Sequence, residues 1–181
     1  MTGLFELKSN DAAHVAVASV VLAGVESAVF STVYPLLPPI VIVPFVTCFF
    51  FGVTLAFSGK QFAIGIVALI ITALVKGAAM PGQFMIPVYG LLFQGARADK
   101  RHSCRIAGFA GSSLHVVQGT VLAPLIFSVA PATALVAWVK PYTGTLALAV
   151  VVCALTLGVC GMLAADAGCR TGLRVRKDVA R

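Results

Sequence analysis

Charge is scarce in this chain. Only 10% of its 181 residues are Asp, Glu, Lys or Arg, while 60% are hydrophobic. Soluble domains carry about a quarter charged residues. A soluble fold of this size has too little interior to hide so much apolar surface, whereas lipid solvates it; the mean hydropathy of +1.03 points the same way. Acids are scarcer than bases, with six Asp and Glu against 13 Lys and Arg. The net charge of +7 would ordinarily suggest nucleic acid as a partner. Its placement argues against one, because the basic residues sit in short stretches between apolar runs, the pattern of the positive-inside rule.

Catalytic signatures are missing too. No Gly-x-x-x-x-Gly-Lys-Ser/Thr loop, Gly-x-Ser-x-Gly elbow or His-Glu-x-x-His pair occurs. The chain is therefore expected to be no enzyme and to have no ATPase of its own, so that active transport would draw on a partner or an ion gradient. There is no Cys-x-x-Cys pair and no Cys/His metal spacing. Neither a disulfide framework nor a zinc site or other cofactor is expected. Cys48, Cys153 and Cys160 lie in apolar runs, where cysteine packs as a small hydrophobe. No cleavable signal peptide is expected either: the start is polar, with Glu6, Lys8, Asn10 and Asp11, and the first apolar run is long enough to span a membrane.

What is present is six apolar runs, at about 12–33, 40–57, 62–79, 84–96, 106–129 and 143–165. At about 20 residues per spanning helix they use nearly the whole chain. They predict an all-α, single-domain bundle of six transmembrane helices over 1–181. Breaks fall at Tyr34-Pro35-Leu36-Leu37-Pro38-Pro39, Ser58-Gly59-Lys60 and Met80-Pro81-Gly82, where proline and glycine end helices. The fourth run is short, and Pro87 near its start suggests a tilted or partly re-entrant span. Pro124 predicts a kink or an early end in the fifth. Ala130 to Tyr142 reads as a loop with a short interfacial helix, and a basic tail follows the sixth run. With the N-terminus inside, all of the 13 basic residues except Lys76 and Lys140 face the cytoplasm. Both termini are then cytoplasmic.

A few polar residues interrupt the apolar runs. Glu26 lies in the outer half of the first, where a buried charge costs several kcal/mol unless it meets a cavity or a partner. It reads as a ligand contact, or as a protonated or hydrogen-bonded group joining two helices. His115 and Gln118, three apart on one helix face, line a polar pocket or bond between helices. Lys76, Gln83, Tyr89, Trp138 and Tyr142 would share that outer half. Snorkelling or interface anchoring is the simpler account of Lys76 and Trp138. Together these side chains suggest an outward-facing polar cavity that catches a small solute. His14 and His102 lie near the cytoplasmic side and do not pair with His115. Ala12, Ala16, Ser19 and Ala23 form a stripe of small residues along the first helix, fitting either packing within the bundle or docking of a partner helix.

The alanine-rich start Ala12-Ala13-His14-Val15-Ala16 is followed by Leu74-Val75-Lys76-Gly77, then Pro81-Gly82, then Pro87-Val88-Tyr89-Gly90-Leu91-Leu92-Phe93-Gln94-Gly95. With the size, the six spans and the orientation, these segments make the whole chain resemble the substrate-binding S-components of energy-coupling factor (ECF) transporters. The resemblance implies capture of a vitamin or a precursor from the outer side. It also implies docking on a transmembrane coupling subunit and ATPase subunits, with Ala12, Ala16, Ser19 and Ala23 as the docking face. The chain departs from the biotin-type pattern, which argues against biotin. Two other readings stand beside this one: a non-catalytic structural subunit of a larger membrane complex, or a small autonomous transporter.

Overall fold

The computed structural model describes residues 9–33, 39–76, 81–122, 125 and 134–181. Every regular element among them is helical, so the fold is all-α. α1 spans Ser9–Val33, α2 Pro39–Leu55 and α3 Gln61–Lys76. A 3-10 turn at Pro81–Phe84 leads into α4, Met85–Gln94. α5 covers Arg101–Val117 and continues as a π-helix over Gln118–Leu122. α6 covers Ala134–Thr143, and α7 runs through Leu146–Val179.

α7 is the hub, with α5 and α2 packed along it and α6 against it. α3 pairs with α4, α1 lies on α3 and α2, and α4 bridges to α5. The contacts are close because the facing residues are small. A Cβ added at Gly52 on α2 would stand 2.7 Å from the carbonyl oxygen of Ala165 on α7. One at Gly65 on α3 would stand 2.9 Å from that of Ile86 on α4. Glycine at such points lets backbones touch.

Apolar side chains lie on the outside of the bundle as well as in its core. On α7 the buried positions include Ala149, Cys153, Gly161, Ala164, Gly168 and Gly172, while Val151, Leu155, Val159 and Leu163 face outward. On α3 Leu74 and Val75 are exposed, and Thr72 is buried. Ser19 of α1 is buried as well, donating to the Ile64 carbonyl at 3.1 Å. The largest apolar side chains in the interior, Phe51 and Phe93, stack at 5.7 Å between ring centres. Among the described residues two helices are long and apolar enough to cross a membrane, α1 over Asp11–Ala28 and α7; shorter apolar helices cover Ile42–Leu55, Gln61–Val75 and Met85–Gln94.

The ends of the predicted runs move. The last begins at Leu146 rather than near 143, because Gly144 turns the chain at φ +75° and Thr145 caps α7 by accepting from the Leu148 N–H at 3.2 Å. The basic segment after Ala165 is not a tail. It is helical to Val179 and packs on α2, where Arg176 donates to the Ala56 carbonyl at 3.0 Å. That bond satisfies a carbonyl just past the C-terminal end of α2 that has no helical partner of its own. The third run ends at Lys76 in helix, its last residues lying outside the described ones; so does most of the fifth beyond Leu122. The expectation of no disulfide framework meets one candidate pair, because the sulfurs of Cys104 and Cys169 lie side by side. Their separation of 65 residues gives no local signal, and only the packing of the first turn of α5 on α7 brings them together.

Candidate functional site

Five polar residues that the apolar runs single out are buried: Glu26, Gln83, Tyr89, His115 and Gln118. Each comes from a different element. α1 supplies Glu26, which accepts a hydrogen bond from Thr47 Oγ1 of α2 at 2.9 Å. The 3-10 turn supplies Gln83, and α4 supplies Tyr89 six residues further on. α5 supplies His115, and Gln118 opens the π-helix that follows. The 3-10 turn packs directly on that π-helix.

Tyr89 is the centre of the arrangement. Its ring lies against Gly111, where a Cβ would collide with it, and 6.1 Å from the imidazole of His115. Ser112 lies beside its hydroxyl, and Glu26 is within electrostatic reach. The hydroxyl nevertheless makes no hydrogen bond of good geometry, and His115 Nδ1 has no partner among the described residues. Buried polar atoms are almost always paired. Two buried polar atoms without a partner, on rings 6.1 Å apart, are therefore the feature here that asks for a ligand. The backbone supports the same point, since π-helical turns cost regular hydrogen bonding and concentrate at functional sites.

Ser112 Oγ is 3.3 Å from Cys48 Sγ, and the Cys48 thiol also donates to the Gly108 carbonyl at 3.5 Å. No hydrogen bond joins Ser112 to His115 among the described residues. Among the described residues no three His, Cys, Asp or Glu side chains converge as metal ligands would. What the cluster offers is a carboxylate, hydroxyls, carboxamides and an imidazole, all buried, which suits hydrogen bonding of a polar molecule.

The other expected residues fall elsewhere. Lys76 ends α3 and Trp138 lies in α6, with side chains outside the described residues. Tyr142, at the end of α6, is 90% exposed and takes no part in the cluster. The small-residue stripe divides in two. Ser19 and Ala23 are buried in the bundle, whereas Ala12 and Ala16 are exposed. α3 begins at Gln61, and its first turn already stands opposite Ser19, so the start of α1 projects past it.

Sequence reasoning missed Thr47, Cys48 and Ser112 in the cluster, although Ser112 precedes His115 by three and so shares its face. It also missed Asp166, a buried carboxylate on α7 bound by Arg101, Arg105 and Arg170. Its one local signal is Arg170 four residues on. Compared with protein-family models, with curated proteins and with solved structures, the chain matches none.

Proposed function

We propose that this chain is a multi-pass cell-membrane protein crossing six times with both ends in the cytoplasm, and that it is the substrate-binding subunit of a micronutrient importer. The observation that carries the reading is the buried cluster of Glu26, Tyr89, His115 and their neighbours inside a bundle with an apolar exterior. Ionisable and polar groups held within lipid-facing helices characteristically line a solute path. The exposed Val, Leu and Ile side chains of α1, α3 and α7 suit acyl chains, and the one-sided distribution of Lys and Arg supports the orientation.

On this reading the solute is a small polar molecule, a vitamin or a precursor, taken from the outer side. Energy comes from a transmembrane coupling subunit and its ATPase subunits. Docking is through Ala12 and Ala16, the part of the stripe left uncovered.

The test has two stages. Protein purified in mild detergent is extracted, and the bound small molecule is identified by mass spectrometry. The Ala12→Leu/Ala16→Leu variant is then compared with the parent for binding and for cellular uptake of that molecule. Binding should persist and uptake should fall. Normal uptake would remove the docking face. A preparation free of small molecules, but carrying stoichiometric membrane subunits, would establish a structural subunit instead.

A further inference from the structure

Three guanidiniums meet one carboxylate where α5 begins and α7 leaves its apolar stretch. Asp166 accepts from Arg101 Nε at 2.9 Å and Nη2 at 3.0 Å, from Arg105 Nη2 at 3.1 Å, and from Arg170. Its side chain is 5% exposed, whereas those of the three arginines are 39% to 53% exposed. Three positive charges against one negative leave two unmatched. Arg97 does not share in this excess, because it is paired with Asp99 at 3.1 Å. Donors are left over as well: Arg105 reaches Asp166 through Nη2 alone, and its Nε–H is buried with no partner among the described residues. One carboxylate cannot use this many donors, so the cluster is open to a second anion.

The surroundings say which kind. Val152, Leu155, Val159 and Leu163 lie on one exposed stripe of α7, and Arg170 and Arg174 continue the same stripe beyond them. Ile106, one residue past Arg105, is exposed on α5. Aliphatic surface thus gives way to guanidinium along a single face. A free phosphate ion has no use for the aliphatic part, whereas a phosphate carrying acyl chains uses both.

We propose that this seam between α5 and α7 binds the phosphate headgroup of an anionic phospholipid, with the acyl chains along the exposed face of α7. The proposal rests on the membrane-spanning reading above. Basic pockets between helices at the cytoplasmic boundary take anionic headgroups through these forces.

The test uses the full chain in nanodiscs of phosphatidylcholine, with and without phosphatidylglycerol. A third sample contains phosphatidylcholine and inorganic phosphate. Native mass spectrometry reads the lipid retained, and thermal unfolding reads stabilisation. Phosphatidylglycerol should be retained in preference to phosphatidylcholine and should raise the midpoint; inorganic phosphate should do neither. Arg101→Gln leaves Asp166 two partners, so the fold should hold, and retention should drop about fivefold. Lys177→Gln, which removes a charge away from the cluster, should leave retention unchanged. Equal retention of both lipids, or full retention by Arg101→Gln, overturns the proposal. An equal shift with inorganic phosphate overturns it too, by making the seam a free-anion site. A failed membrane reading would show itself differently, as a chain that does not enter the nanodisc with any lipid.

Discussion

Thr47 Oγ1 donates to Glu26 Oε1 at 2.9 Å, and this bond ties α2 to α1 between two buried side chains. Glu26→Gln separates the two roles open to Glu26. Glutamine has the same size and still accepts from Thr47, so the fold should hold. A hydrogen bond to a charged group contributes about 1.5–3 kcal/mol, so solute affinity should fall about tenfold or more. Calorimetric titration with the extracted solute gives the affinity, and thermal unfolding gives the stability. Unchanged affinity with lost stability would make Glu26 a joint between helices and nothing more.

Asp166→Asn should destabilise the protein more than the loss of any one of its arginines. Without the carboxylate, three guanidiniums repel one another at the α5–α7 seam. Breaking a fully buried pair costs about 3–5 kcal/mol. Here the arginines are half exposed and water screens them, so a cost of about 1–2 kcal/mol is expected for Asp166→Asn, and a smaller one for Arg101→Gln. Denaturant unfolding in detergent at low and high salt measures both, and the gap should narrow as salt rises. Equal costs would mean that the cluster is ordinary surface pairing.

The close helix contacts predict a sharp contrast between glycines. At Gly168 a Cβ would collide with the Phe49 carbonyl of α2, while at Gly24 nothing stands within 4 Å. Gly168→Ala should therefore cost about 1–3 kcal/mol through overpacking against backbone that cannot yield. Gly24→Ala should be neutral. Unfolding midpoints and the monodisperse fraction on size-exclusion chromatography would report the difference, and indistinguishable variants would refute the α2–α7 contact.

Orientation can be tested through cysteine chemistry. Cysteines placed at Lys60, Lys100 and Arg174 should be reached by reagent only from the cytoplasm, and one at Lys140 only from outside. The Cys104–Cys169 pair adds an internal check, because disulfides seldom persist in the cytosol. Alkylation of intact cells should trap both as thiols, and the bridge should close after lysis in air. A bridge already closed in the cell, with position 100 labelled from outside, would turn the protein over.

Much of the fold was legible because its breaks are chemically blunt. Pro38-Pro39, Ser58-Gly59 and Pro81-Gly82 separate runs too apolar to be anything but buried or lipid-facing helix. Glu26, Gln83, Tyr89, His115 and Gln118 stand out for the same reason, and all five are buried. Partners were not legible. Thr47 and Cys48 look like neutral members of an apolar run, and only the rotation of α2 shows that they face Glu26 and Ser112. Asp166 lay one residue beyond the expected end of its span, and two of its three arginines come from another helix. Periodicity put Ala12, Ala16, Ser19 and Ala23 on one stripe, but which of them is covered depends on where α3 starts, a property of the assembled bundle.

α7 has 34 residues, about 51 Å of helix at 1.5 Å per residue. A hydrocarbon core is about 30 Å thick. The remainder, from Asp166 onward, is held at its root by three arginines and further along by Arg176 on the end of α2. It is a spar rather than a tether. Any tilt or rotation of α7 inside the bundle would be carried to Arg174 and Lys177, and a protein gripping those residues would read the state of the bundle interior as a displacement of its own handle.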